Sequence, residues 1–186
     1  MNLPNLLTLL RLLFPLLIII IYLIKLDKNN EELIVFIIFL ILSFTDYLDG
    51  IIARKFNLVS TFGKVFDPIS DKVLTATSLL YILSYENSLL IPSLLIIARE
   101  FIISGNREYM LSINAKSINV TFLSKLKTTL QFFSISLLLA NNIILSYFNF
   151  DIFNIALICL WITTVLTIYT GFQYSYYSYM SDKKRK

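Results

Sequence analysis

Four aspartates stand at helical spacing in a chain that is otherwise mostly Leu, Ile, Phe and Tyr. Asp46 and Asp49 are three apart, and Asp67 and Asp71 four apart, in the stretch "DYLDGIIARKFNLVSTFGKVFDPISD". Residues at these spacings share a helix face, so each pair presents two carboxylates side by side. A connection over 54–66 folds the second helix back on the first, and all four carboxylates can then converge on one cavity. Four anions packed together repel unless neutralised. Two divalent cations balance them, and in a chain with no histidine an all-oxygen ligand set suits Mg2+ or Mn2+. Paired metals of this kind clamp the attacking and leaving oxygens of a phosphoryl displacement. Gly50, Ala53 and Gly63 let a bulky ligand approach the backbone, and Arg54 can hold a diphosphate or a carboxylate by its fork. Charges merely solvated at a loop end would account for a lone aspartate. They account poorly for four with Gly, Ala and Arg between them.

A second constellation is cationic: Arg99, Arg107, Lys125 and Lys127. Arg99 lies about 16 Å along its helix from Ser88, a depth at which a charge needs a partner or a wet cavity. Glu100 can be that partner, and Lys125 and Lys127 can simply snorkel at a helix end. Four cations facing one side also suit a phosphate-bearing ligand.

The elements that must position these groups are membrane helices. Of 186 residues, 57% are hydrophobic and 15% aromatic, with mean hydropathy +0.75, more apolar material than a soluble domain of this size can hide. Runs bounded by charge or turn residues fall at about 8–26, 32–56, 67–85, 88–109, 121–147 and 152–178, each near the roughly 20 residues that cross a bilayer. The expected fold is an all-α integral membrane protein, one domain over 1–186, with six transmembrane helices. The opening segment "NLPNLLTLLRLLFPLL" reads as an amphipathic helix lying partly at the interface. Pro68 fits the first turn of its helix, just after a capping Asp67. Trp161, Tyr174, Tyr176, Tyr177 and Tyr179 suit a packed helix with an interfacial aromatic belt. The one cysteine, Cys159, packs as a small hydrophobe. "MNLPNLLTLLR" lacks the basic region of a removed signal peptide, and no small-residue cleavage site follows.

The pattern Asp46-x2-Asp49-Gly50-x2-Ala53-Arg54-x8-Gly63-x3-Asp67-x3-Asp71 resembles the motif of the CDP-alcohol phosphotransferase family and matches it at every defined position. The resemblance implies a dimeric, six-helix membrane enzyme that binds a CDP-linked donor and two divalent cations, with an alcohol displacing CMP. Asp46, Asp49, Asp67 and Asp71 would then hold the metals, with Asp71 also the general base. Asp49, Gly50, Ala53, Arg54 and Gly63 would contact the CDP donor. Three further stretches, "NLPNLLTLLR", "REFIISGNR" and "KLKTTLQ", resemble the members of that family that join CDP-diacylglycerol to sn-glycerol 3-phosphate. Arg99, Arg107, Lys125 and Lys127 would seat the acceptor phosphate. Ser124, Asn106 and Ser70 depart from the residues common there, namely glycine, leucine and alanine. Rival readings are the same chemistry with phosphatidylglycerol, serine or inositol phosphate as acceptor, a divalent-cation transporter, or a catalytically dead scaffold. Against transport, the aspartates gather at one membrane face and no acidic residues continue the path. Against a dead scaffold, every charged position of the motif is present.

Charge sets the orientation. Arg11, Arg54, Lys55, Lys64, Lys72, Arg99, Arg107, Lys116, Lys125, Lys127 and the terminal "KKRK" fall on one side. The other side keeps Lys25 and Lys28 against Asp27, Glu31, Glu32, Glu86 and Asp151. The positive-inside rule puts both termini and the 54–66 loop in the cytoplasm of a plasma or inner membrane, with the "DKKRK" tail on anionic lipid rather than nucleic acid. Single cysteines at Asn29 and Asn87 should therefore react with a membrane-impermeant thiol reagent in intact cells, and cysteines in the 54–66 loop or the tail should not. Labelling at the tail would reverse the orientation.

Overall fold

A long apolar chain in a bilayer satisfies its backbone by closing every N–H and C=O within a helix. The computed structural model describes residues 3–55, 61–113 and 122–183, and every regular element among them is helical. They are α1 (Leu3–Leu12), α2 (Phe14–Ile24), α3 (Lys28–Lys55), α4 (Thr61–Leu83), α5 (Leu90–Ser112, entered through a 3-10 turn at Asn87–Leu89), α6 (Phe122–Phe148) and α7 (Phe153–Lys183). The segments Asn87–Ser112, Phe122–Phe148 and Phe153–Met180 are long and apolar enough to cross a membrane, and the bent pair α1–α2 makes a fourth if counted as one broken span. The molecule is an all-helical membrane protein.

The first expected crossing, over 8–26, is divided. α1 and α2 meet at a 46° bend, because Pro15 in the first turn of α2 has no N–H to give the carbonyl four residues back and its ring crowds that turn. The 11 residues of α2 rise about 16 Å, roughly half a hydrocarbon core. A second expectation also gives way. α4 begins at Thr61, so Pro68 lies inside the helix and Asp67 is no cap. The helix extends backwards because Phe62 and Phe66, one turn apart, stack with centroids 4.4 Å apart. Beside the proline, the Ser70 hydroxyl donates to the Asp67 carbonyl at 2.9 Å, which gives that departure from the family pattern a local role.

α6 is central, packing on α7, α3 and α4; α7 also lies along α5, and α1 along α4 and α3. Phe39, Leu74, Ile96, Ile135, Leu139 and Leu160 form the shared core, with Phe39 against Phe132 at 6.0 Å between centroids. Small polar residues bring α6 and α7 together: Ser134 Oγ and Thr163 Oγ1 lie 3.3 Å apart, and Thr163 and Thr164 also bond carbonyls of their own helix. Such residues let backbones approach where lipid gives helices no hydrophobic reason to associate. At the end of the bundle near the start of α3, Asn142 donates to the buried Glu32 at 2.9 Å and Tyr81 donates to Glu31 at 3.1 Å. These bonds join α3 to α6 and α4.

α1 is amphipathic with its polarity reversed. Thr8 and Arg11 are buried, while Leu6, Leu9 and Leu10 are exposed. A surface helix of a soluble protein would turn the leucines inward; with lipid outside, the polar stripe faces the protein.

Candidate active site

The reversed face of α1 meets α4 at the aspartates. Asp67 and Asp71 are one turn apart, and so nearly are Thr8 and Arg11 on the opposing helix, so the two pairs align. Thr8 Oγ1 donates to Asp67 Oδ1 at 2.6 Å, and Arg11 Nη1 donates to Asp71 Oδ1 at 2.8 Å. Arg11 is fully buried and the Asp71 side chain is 39% exposed, so this ion pair reaches from the protein interior to an open surface. The side chains of Asp46, Asp49, Gly50, Ala53 and Arg54, at the end of α3, lie outside the described residues, as does the 56–60 connection. Gly63 is buried on α4. Among the described residues no three His, Cys, Asp or Glu side chains gather. Among the described residues Asp67 and Asp71 supply two carboxylates, and one oxygen of each accepts from a donor on α1. Hard cations take such oxygens, and donors of this kind aim them.

Asp71 also lines a cavity of about 560 Å³ walled by α4, α5, α6 and α7. α4 contributes Pro68, Asp71, Lys72 and Thr75, one stripe at helical period. Arg99, Arg107, Lys125 and Lys127 all line the same cavity, so the second constellation and the last aspartate face one space. The four cations differ in what holds them. Lys127 Nζ donates to Glu100 Oε1, and Arg99 Nη1 reaches the same oxygen at 3.3 Å. Lys127 is therefore buried and paired rather than snorkelling. Arg99 is fixed further by bonds from Nε to the Thr167 carbonyl and from Nη2 to Thr170 Oγ1, each 3.0 Å. It lies this close to α7 because residue 171 is glycine: a Cβ there would come within 3.0 Å of Arg99 Cγ and 3.2 Å of Nε. Arg107 and Lys125 are exposed and, among the described residues, make no side-chain hydrogen bond or ion pair. The Asn106 amide donates to Ser175 Oγ at 2.9 Å, tying α5 to α7 where the family pattern favours leucine.

Several residues here escaped the reading of the sequence. Thr8 and Arg11 sat in a segment taken for a membrane-surface helix; their i, i+3 spacing within an otherwise apolar run was the available signal. Lys72 was counted only as a topology charge, although Pro68, Asp71, Lys72 and Thr75 recur at i, i+3, i+4 and i+7. Tyr174, expected on a packed helix with an aromatic belt, lines the cavity, while Tyr176, Tyr177 and Tyr179 are exposed.

A sequence profile described as CDP-alcohol phosphatidyltransferase matches residues 1–169. A protein of Rickettsia typhi is 46% identical over 132 residues, covering 71% of this chain and 72% of its own. One from Haemophilus influenzae is 37% identical over 133 residues, covering 70% of this chain and 69% of its own. One from Bacillus subtilis is 33% identical over 132 residues, covering 71% of this chain and 66% of its own. Each of the three is named CDP-diacylglycerol--glycerol-3-phosphate 3-phosphatidyltransferase.

The docking of α1 is open to measurement. Losing a hydrogen bond to a charged group costs about 1.5–3 kcal/mol, so Arg11→Met should lower the thermal midpoint of the detergent-solubilised protein. It should also speed amide exchange in residues 3–12. Unchanged values for both would detach α1 from the site.

Proposed function

The chain belongs to the CDP-alcohol phosphatidyltransferase family, and on that premise we propose that it transfers a phosphatidyl group from CDP-diacylglycerol to sn-glycerol 3-phosphate, giving phosphatidylglycerophosphate and CMP. The names of its relatives support this. The observation that carries it is the single cavity in which a motif aspartate, Asp71, faces the unpaired cations Arg107 and Lys125.

The acceptor's phosphate sits against Arg107 and Lys125, with Lys72 adding a third positive charge on the same wall. Arg99 and Lys127, which share Glu100, fix that wall and lend it positive potential. The primary hydroxyl of the acceptor then points towards Asp71. Its oxygen attacks the phosphorus that carries diacylglycerol, the anhydride bond to CMP breaks, and CMP departs with the bonding electrons. Asp71, oriented by Arg11, takes the hydroxyl proton. Thr8 keeps Asp67 in register beside it. The family generally depends on divalent cations, and Asp46, Asp49, Asp67 and Asp71 would hold two of them, Mg2+ or Mn2+. The chemistry they supply when bound is Lewis-acid stabilisation of charge on the donor phosphates. Gly50, Ala53, Arg54 and Gly63, with Asp49, would seat the cytidine diphosphate. A six-span homodimer in the plasma or inner membrane, its site facing the cytoplasm, completes the proposal. The family resemblance supports the first part, and the distribution of Lys and Arg supports the orientation.

Two measurements test the assignment. Asp67→Asn removes a carboxylate while keeping its size, so CMP release should be nearly abolished while folding survives. The same loss should follow a chelator. Normal turnover in either case removes the metal-holding role. Arg107→Ala should raise KM for glycerol 3-phosphate about tenfold or more, the worth of one charge-assisted contact, with little change in KM for CDP-diacylglycerol. Equal change for both substrates makes Arg107 structural, and CMP release with serine but not glycerol 3-phosphate overturns the assignment.

A further inference from the structure

One polar group of the cavity has no part in the chemistry above. Gln131 follows Lys127 by one turn on the same face of α6, lines the cavity and is only 4% exposed. Its Oε1 is buried and, among the described residues, has no hydrogen-bond partner. Three hydroxyls of the same cavity are engaged elsewhere: Thr128 donates to the Ser124 carbonyl at 3.0 Å, Thr129 to the Lys125 carbonyl at 3.1 Å, and Ser104 to the Glu100 carbonyl at 2.7 Å. Buried polar groups in native folds nearly always have partners, and one left without calls for something that completes it.

We propose that Gln131 is a specificity-determining residue whose carboxamide reads a non-reacting hydroxyl of the acceptor, so that the site selects a polyol phosphate over an alcohol phosphate lacking that group. This rests on the acceptor assignment made above. The phosphate end of the acceptor is excluded from Gln131 by chemistry, since a dianion is drawn to the unpaired cations Arg107 and Lys125 and gains nothing from a carbonyl oxygen. The attacking hydroxyl is committed to Asp71. What remains of a glycerol phosphate is its secondary hydroxyl, the one group left that can meet a buried amide. A hydroxyl both donates and accepts, as does a carboxamide, so the pairing holds whichever way the amide is turned. An acceptor without that hydroxyl leaves the amide buried and unpaired, and the site discriminates against it.

The test compares CMP release with glycerol 3-phosphate and with 3-hydroxypropyl phosphate, which keeps the chain length, the phosphate and the primary hydroxyl but lacks the secondary one. The wild-type protein should favour glycerol 3-phosphate by about tenfold or more in kcat/KM, the scale set by one unpaired buried polar group. Gln131→Met, similar in length but unable to pair, should lower kcat/KM for glycerol 3-phosphate by about that factor. It should leave the analogue and KM for CDP-diacylglycerol unchanged, so that discrimination collapses. Equal loss with both acceptors would make Gln131 a structural residue and overturn the proposal. So would a wild-type protein that uses the two acceptors equally well, a comparison independent of how the variant folds. A wild-type protein that releases no CMP with glycerol 3-phosphate but does so with another alcohol is a different result: it overturns the acceptor assignment, and this inference with it.

Discussion

A charge inside a hydrocarbon layer must find its counter-charge within the protein, and in this fold Glu100 meets that condition. One carboxylate oxygen takes Lys127 from α6 and Arg99 from α5, and Arg99 in turn binds α7 through Thr167 and Thr170. Three helices are thereby fixed at the level of the cavity by one buried anion. Breaking such a pair strands the remaining charges, which costs far more than the pair contributes when intact. Glu100 offsets part of the positive charge of the cavity wall, whose Lys72, Arg107 and Lys125 leave it cationic.

The same condition governs the other side of the site. Arg11 is fully buried and pairs with Asp71, so the carboxylate that faces the cavity is held from behind. Thr8 does the same for Asp67 with a neutral hydroxyl. The apolar surface of α1 is left to lipid. Polar residues thus do the joining in this molecule, at the α1–α4 contact, around Glu100 and along Ser134–Thr163 between α6 and α7, while the core residues fill space between them.

The long helices were legible because apolar runs and their charged boundaries report directly on the bilayer; α5, α6 and α7 fall within a few residues of the expected spans. What hydropathy could not register was a break whose cause is a single missing N–H, at Pro15, or a helix that carries a proline in its interior because neighbouring aromatics and a serine compensate. The family was legible for another reason: its motif fixes residue types at fixed spacing, and the match of that family over residues 1–169 agrees with it. Lys72 was not, and Gln131 was marked only as the last residue of "KLKTTLQ" with no role attached. A glutamine or lysine has many uses, and only the three-dimensional cavity reveals that one is unpaired there and the other shares a stripe with Asp71. The distinction between Arg107 and Arg99 was likewise invisible, since it depends on which side chains reach Glu100.

The reach of α1 across the sequence has a consequence for biosynthesis. Thr8 and Arg11 bond Asp67 and Asp71, which come 59 and 60 residues later. At ribosomal speeds of about 5–20 residues per second, the first helix exists for about 3–12 s before Asp67 and Asp71 are made. The bonds from Thr8 and Arg11 that join α1 to α4 therefore form only after α4 has been made. A contact between elements made so far apart in time is completed late, and Asp67 and Asp71 gain these two donors only once α1 and α4 are both in place.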